Sequence, residues 1–552
     1  MDTKDTNKLA RILTAPITTS LGLFLLLTVM GFLVNSYYIF KFRGPELNAI
    51  NSLLQIARAI VFAWMAMGIY TLLSRRSAIM ARAFIGIVIT LLGLNALFDI
   101  ITWNVYDSYF NLDHMAVLLG TNPAEASDFV STYFTPEIAG AIFVTAIMFV
   151  VVYLTGRIFN DNFREKVMPA AFRRPFVALI TVCLAGSLAF CIAAPDKIGA
   201  KTDLTAKVTQ SLTYDFGHEV TAVVPELTAS AAADTTGAPA QIVVVIGESL
   251  SSNHCSLYGY DKRTQPRLEA LRDDSALVVF AKPEAPATHT VEVFKHIIGT
   301  WDGDETQNWY ECPTFLQIAS AAGYPTAWIS NQSRKGMHDT PITTMSELAD
   351  TAFWTNDGMQ PTDLNKFDEA VMPLLSDRLD AIGPDGRGIT VVHLLGSHLR
   401  YSYRYPAERT KFTPDMYGNL VDEQRETVST YDNSVLYNDS LVARIMRMHE
   451  GRDALVLYFS DHAQDLYDVS DDYFGHARKG NAASEAAGRK IPMMAYMSPE
   501  MQRRHPRLAG RIRESADSAV NISDLTYTLM DIMGIEMQGH PEAASRSMIK
   551  AR

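Results

Sequence analysis

Glu248 directly follows five apolar or small residues, Val243 to Gly247, in the stretch VVVIGESLSSNHCSLYGYD. A carboxylate delivered by a buried strand is costly unless a cation or hydrogen-bond donors compensate it. Other polar groups follow apolar runs in the same manner. Asp461 and His462 follow Ala454–Phe459 in YFSDH, and His398 ends GSH after Ile389–Leu395. Thr288, His289 and Thr290 precede a helical run in THTVEVF, and His476 comes fourteen residues after His462. Glu248, Asp461 and His462 offer oxygen and nitrogen donors of the kind that bind Zn²⁺ or a similar divalent ion. A hydroxyl in the fourth position would become a nucleophile. Thr290, at a helix start, would gain anion stabilisation from the helix N-terminus. His398 and His476 could hold phosphoryl oxygens, bind a second metal or shuttle protons. His393, inside its strand, reads as a packed, hydrogen-bonded side chain, and His289 as a neighbour of the site. The stretch DLYDVSDD, Asp465–Asp472, reads as a solvated loop.

The elements that must carry these groups are strands. Apolar runs recur at Ile242–Ile246, Ala276–Ala281, Thr326–Ile329, Ile389–Leu395, Ala454–Phe459 and Ile491–Met497. Helix-compatible stretches such as Pro313–Ala322 and Ser434–His449 lie between them. The alternation predicts a largely parallel central sheet covered on both faces, with its site beyond the carboxyl ends of the strands.

Ahead of this domain, five apolar segments are long enough to span a bilayer: Ile17–Ile39, Leu53–Leu73, Ala83–Trp103, Ile138–Thr155 and Pro175–Ala194. Lys4, Lys8, Arg11, Arg75, Arg76, Arg82 and the cluster from Arg157 to Arg174 mark one side, and no Lys or Arg occurs from Ala83 to Gly156. The positive-inside rule then puts the N-terminus in the cytoplasm and the C-terminal domain outside. Arg58 can snorkel, and Asp99 is expected to face the interface. The acidic loop Asp113–Val130 reads, on spacing alone, as a surface helix without chemistry. The expected division is therefore a five-helix membrane domain over residues 1–195, an interfacial helix (Thr205–Val224) with a low-complexity linker over 196–240, and over 241–552 the domain that carries the candidate catalytic groups. The net charge of −12 argues against nucleic acid, which needs clustered Lys and Arg. Cys255 and Cys312 could pair or stand alone, and spacing does not decide between these.

In chain order, VVVIGESLSSNHCSLYGYDKRTQPRL, the Thr-x-Thr motif, GYPTAWISNQS, VVHLLGSHLRYSYRYP, YDNSVLYNDS and YFSDH resemble the phosphoethanolamine transferases of Gram-negative bacteria. HLLGSHLRYSYRYP and YDNSVLYNDS are most similar to the CptA-like subgroup, which modifies lipopolysaccharide core heptose. The resemblance covers nearly the whole chain and implies an α/β domain of alkaline phosphatase/sulfatase-like fold after a multi-span α-helical membrane domain. It implies an inner-membrane, multi-pass protein with a periplasmic catalytic domain. It also implies zinc, one or two ions, with manganese as the alternative metal. Thr290, chosen over Thr288 by alignment of the short motif, would take phosphoethanolamine from phosphatidylethanolamine and pass it to a lipopolysaccharide or other envelope glycan acceptor. Glu248, Thr290, Asp461 and His462 match the metal set, and His398 and His476 the substrate or second-metal histidines. Lys335, Thr121 and Glu125 match headgroup contacts, which gives the outer loop a role that spacing alone does not. SDHAQD stands where lipid A-modifying members read SDHGE, and Val117 stands where they carry an Asn. A lipoteichoic acid synthase-like glycerophosphate transferase and a membrane-tethered phosphatase are the competing activities.

Overall fold

Long apolar segments can satisfy their backbone groups in lipid only by coiling, and the N-terminal part of the chain does so. The computed structural model describes residues 19–33, 49–106, 126, 129–130, 133–165, 231–233, 237–303, 309–334, 341–356, 366–471, 473–477, 481–537 and 543–549. Two units emerge, Met1–Leu118 with Tyr133–Thr213, and Leu119–Thr132 with Tyr214–Arg552.

Among the described residues of the first unit, the helices are α1 (Leu21–Leu33), α2 (Ala49–Ser74), α3 (Ala78–Tyr106) and α4 (Pro136–Glu165). Ile56–Ser74, Ala78–Thr102 and Pro136–Thr155 are long and apolar enough to cross a membrane, and α1 contributes a shorter apolar stretch. Leu27, Ala63, Met67 and Ile85 pack together, whereas Leu72, Leu91 and Phe143 turn outward. An outward apolar surface of this kind suits lipid rather than water. Asp99 departs from expectation. Instead of meeting the interface it is fully buried, and its Oδ2 accepts a hydrogen bond from Asn95 Nδ2 at 2.9 Å. An intramembrane carboxylate is cheaper paired within the bundle than exposed to hydrocarbon. The expected span Pro175–Ala194, the bridging segment Thr205–Val224 and most of the loop Asp113–Val130 lie outside the described residues.

The second unit centres on a seven-stranded sheet. Its strands are β1 (Gln241–Gly247), β2 (Leu277–Val279), β3 (Thr326–Ser333), β4 (Thr351–Asn356), β5 (Gly388–His393), β6 (Ala454–Ser460) and β7 (Met493–Met497), in the order β2-β7-β6-β1-β5-β3-β4. β6, β1, β5, β3 and β4 run parallel, and β7 is antiparallel to both its neighbours. Every residue of β1, β5, β6 and β7 is buried. That explains why they read as continuous apolar runs rather than as alternating ones. β4 gave no such run, because its edge position leaves Thr351 and Phe353 exposed.

Two helices matter for the site. α5 (Thr290–Ile297) presses Val293, Phe294 and Ile297 into the core. α6 (Asp422–Arg447) begins twelve residues before the apolar pattern suggested, because its first turns are polar. The expected linker is not entirely unstructured: Ala231–Ala233 pairs antiparallel with Ile535–Met537. Asp465–Leu466 likewise pairs with Phe474–Gly475, so the start of the expected solvated loop is a buried hairpin. Cys255 and Cys312 are both buried free thiols.

Candidate metal centre and nucleophile

Sheet register sets the first distance in the site. Gly247 on β1 pairs with Ser460 on β6, so Glu248 and Asp461 leave neighbouring strands side by side. Asp461 N–H donates to Gly247 O at 3.1 Å, and Ser397 N–H, after β5, donates to Glu248 O at 2.9 Å. Backbones approach closely here. A Cβ on Gly396 would lie 2.6 Å from both Glu248 N and Glu248 O, and Gly396 has φ +56. Only glycine fits such a place without strain.

Glu248, Asp461 and His462 are buried, and one ligand atom from each lies within 4.8 Å of the others. His462 Nε2 is 3.2 Å from Glu248 Oε1 and 3.5 Å from Asp461 Oδ2. Thr290, the first residue of α5, brings its hydroxyl into the same cluster. Its Oγ1 lies 3.2 Å from His462 Nε2 and 3.4 and 3.5 Å from the Glu248 oxygens. Thr288 Oγ1 instead contacts His289 Nδ1 at 3.0 Å.

The surrounding groups fix each donor. His462 Nδ1 faces Ala463 O at 3.0 Å, which commits Nε2 to the cluster. Ser249 Oγ donates to Glu248 Oε1 at 2.7 Å and Gln332 Nε2 to Glu248 Oε2 at 3.3 Å. Asp461 Oδ1 accepts from Ser249 N–H at 3.1 Å and His462 N–H at 2.7 Å. Asp461 Oδ2 has no hydrogen-bond partner, although it is buried. An orphaned carboxylate oxygen beside a second carboxylate, an imidazole nitrogen and a hydroxyl fits a divalent cation in chemistry and in charge.

The electrostatics follow from that excess of negative charge. Burial opposes ionisation of Glu248, but the hydrogen bond and charge of His462, then the charge of His398, hold it well below the usual carboxylate range. Burial and the charge of Glu248 push Asp461 up to about 7. Burial works against protonating His462, yet the charges and hydrogen bond from Asp461 and Glu248 raise it to about 9. The cluster therefore calls for a positive charge, which a proton on His462 supplies when no cation does.

His476 sits beside the cluster. Its ring centroid is 4.8 Å from that of His462, and it stacks on His289 at 4.9 Å. Burial first, then the neighbouring imidazoles, push it well below its ordinary value. His398 lies close enough for its charge to bear on Glu248. His393 is packed as expected, against Phe294 at 5.1 Å and Trp328 at 5.8 Å, but neither ring nitrogen has a hydrogen-bond partner. Lys335, Thr121 and Glu125 lie outside the described residues.

Sequence reasoning missed the supports. Tyr431 on α6 donates to Ser249 O at 2.8 Å and accepts from Ser251 N–H at 2.8 Å, clamping a loop whose Ser249 has φ 59. Ser434, one turn on, donates to Ser397 Oγ at 2.8 Å. Asp368 accepts from Leu395 N–H at 2.7 Å and Gly396 N–H at 2.8 Å. The available signal was polar residues at helical spacing in YDNSVLYNDS, a stripe facing loops instead of water.

The model of the family described as Sulfatase matches residues 240–535. Phosphoethanolamine transferase EptC of Escherichia coli O18:K1:H7 is 28% identical over 490 residues, 84% of this chain and 81% of that protein. Phosphoethanolamine transferase CptA of Salmonella typhimurium is 29% identical over 318 residues, 56% of this chain and 53% of that protein. Among solved structures, the C-terminal periplasmic domain of E. coli EptC in complex with Zn has a TM-score of 0.52 at 27% identity, covering 58% of this chain and 88% of that one. The integral membrane lipooligosaccharide phosphoethanolamine transferase A of Neisseria meningitidis has a TM-score of 0.59 at 18% identity, covering 97% and 98%, a likeness of fold.

Proposed function

We propose that this chain, which belongs to the sulfatase family, is a metal-dependent transferase that moves phosphoethanolamine from phosphatidylethanolamine to a lipopolysaccharide acceptor. The observation that carries the reading is the Thr290 hydroxyl, 3.2 Å from His462 Nε2 and at the first position of a helix. A hydroxyl so placed serves group transfer through a covalent intermediate. The names of the relatives supply the group transferred.

Glu248, Asp461 and His462, with Thr290, would hold the metal, with zinc the first choice, as one or two ions, and manganese the alternative. When bound, the cation supplies charge that favours the alkoxide form of a hydroxyl and offsets charge on phosphoryl oxygens. The protein's own part is positional. The fixed Nδ1 contact of His462 presents Nε2, and Ser249 and Gln332 orient Glu248. Thr290 Oγ1 forms a bond to the donor phosphorus as the bond to the glycerol oxygen breaks, and diacylglycerol leaves with a proton. The acceptor oxygen then displaces Thr290, restoring its hydroxyl. His398 and His476 are assigned to the phosphoryl oxygens and to proton movement in these steps. Lys335, Thr121 and Glu125 are assigned to the headgroup.

A lipid donor cannot leave the bilayer cheaply, since each acyl CH₂ exposed costs about 0.8 kcal/mol. This is the reason for a membrane domain of five spans, with a cytoplasmic N-terminus and the catalytic domain on the periplasmic side of a bacterial inner membrane.

Incubating the purified protein with phosphatidylethanolamine bearing a fluorescent acyl chain tests the reading. Labelled diacylglycerol is expected from the wild type and from Thr288→Ala, with none from Thr290→Ala. Release at the normal rate by Thr290→Ala would remove Thr290 from its role.

A further inference from the structure

Three imidazoles adjoin one another beside the cluster, and one of them has no role in the steps above. The ring of His476 lies 4.9 Å from that of His289 and 4.8 Å from that of His462, centroid to centroid. Its plane is within 13° of the His289 plane but 41° from that of His462. His476 is therefore aligned with His289 and not with the metal-set histidine. The hydrogen bond at His476 uses its backbone, where the Tyr473 hydroxyl donates to His476 O. Neither ring nitrogen has a hydrogen-bond partner among the described residues. His462 differs, since its Nδ1 is spent on Ala463 O at 3.0 Å.

Local structure brings the two aligned rings together. His289 is the N-cap residue of α5, extended at φ −140 and ψ 141, and its side chain makes no capping hydrogen bond. Side chains at such positions ordinarily turn back onto the helix. His289 instead presents its ring to His476, with Nδ1 3.0 Å from Thr288 Oγ1. Gly488 lets the segments close up. A Cβ there would lie 2.8 Å from Ala477 Cβ and 3.0 Å from Thr288 Cγ2. Gly488 O also accepts from Ala463 N–H at 2.8 Å. The chain neighbours of His476, His289 and His462 thus all meet at one glycine, where a side chain would push them apart.

We infer that His289 is a positioning residue for His476, setting the plane of that imidazole by stacking. The inference rests on the transferase reading above. A hydrogen bond that orients an imidazole consumes one nitrogen and commits the other. A stacked ring fixes the plane and consumes neither. The two steps ask His476 to serve a leaving glycerol oxygen and then an entering acceptor oxygen. A ring held flat with both nitrogens open to substrate can serve each in turn.

The full-length protein in vesicles is assayed for diacylglycerol release from acyl-labelled phosphatidylethanolamine, with lipopolysaccharide as acceptor and zinc content measured in parallel. His289→Ala is expected to lower kcat about 3- to 10-fold, with KM for the lipid changed less than about twofold. His289→Phe, which keeps a flat ring, should stay within about twofold of wild type. In a His476→Ala background, His289→Ala should cost nothing further, because the group it positions is gone. Zinc content should match wild type throughout. The inference is overturned if His289→Phe is as slow as His289→Ala, or if His289→Ala costs the same factor with and without His476. It is equally overturned if His289→Ala loses zinc, or if His476→Ala alone is as fast as wild type. No diacylglycerol from wild type would instead refute the transferase reading, and the inference with it.

Discussion

The polar stripe of α6 and the carboxyl edge of β1 and β6 both bury carboxylates, yet they treat them in opposite ways. On α6, Asp432 contacts His254 Nδ1 at 2.8 Å and accepts from the hydroxyls of Tyr260 and Tyr417. Asp439 takes the backbone N–H groups of Arg267 and Leu268 at 2.9–3.2 Å. Each oxygen of both groups is satisfied by protein. At the sheet edge, Asp461 has one oxygen satisfied and Oδ2 left open, facing another carboxylate. A closed carboxylate has donors that offset the cost of burial, whereas an open one next to like charge lacks that offset until a cation arrives. The difference separates scaffold from site without reference to any relative.

Asp461→Asn is the sharpest way to break the comparison, and it should have the largest effect. Zinc binding measured by competition with a chelating dye should be lost, and donor cleavage should fall on the order of 1,000-fold, the several kcal/mol a cation supplies. Metal-free Asp461→Asn should nevertheless melt no lower than metal-free wild type at pH 8, because a repelled buried charge has been removed. A large drop in melting temperature would show that Asp461 belongs with the scaffold carboxylates. Asp432→Asn should do the reverse, costing about 1–3 kcal/mol in urea unfolding and leaving zinc content intact.

Smaller effects refine the picture. Tyr431→Phe removes the hydroxyl that clamps the Ser249–Ser251 loop, and zinc affinity should weaken about 10- to 100-fold with the fold preserved. Unchanged affinity would confine Tyr431 to packing. Protons compete with the cation at the open cluster. Since His462 is raised to about 9 and Asp461 to about 7, zinc affinity should climb as pH rises from 6 to 9 and flatten above.

His449 supplies a control far from this chemistry. Burial pushes it down to about 4 from an ordinary 6.5. The unfolded chain takes up that proton near 6.5 and the folded chain only near 4. Its contribution is therefore complete above 6.5 and drains away as pH falls to 4, by roughly 3 kcal/mol. Replacing His449 with Leu should flatten that part of the stability profile. An unchanged slope would place the acid sensitivity elsewhere.

Much of the candidate site was legible because buried parallel strands are continuous apolar runs, and whatever polar residue ends such a run lies at the edge where sites form. Glu248, Asp461, His462 and His398 were found that way. Tyr431, Ser434, Asp368 and Gln332 were not, since a buried Tyr or Ser on a helix looks like any other until its partner loop is known. β4 was passed over because an edge strand needs no apolar run, and Asp99 was misplaced because its partner Asn95 lies one turn back on the same helix, inside the bundle.

Sequence alone determined most of the strand order, the long apolar helices of the first unit and the set of groups that could carry chemistry, all consequences of hydrophobic periodicity and residue type. Tertiary structure decided what those groups are to one another. The pairing of Gly247 with Ser460 sets two carboxylates side by side, α5 delivers the hydroxyl of Thr290 rather than Thr288, and Asp461 Oδ2 is left without a donor. These are relations between residues some forty to two hundred positions apart, as with Thr290 and Glu248 or Ser249 and Asp461. Local propensity carries no information about them, because only the packed sheet brings such residues within bonding reach.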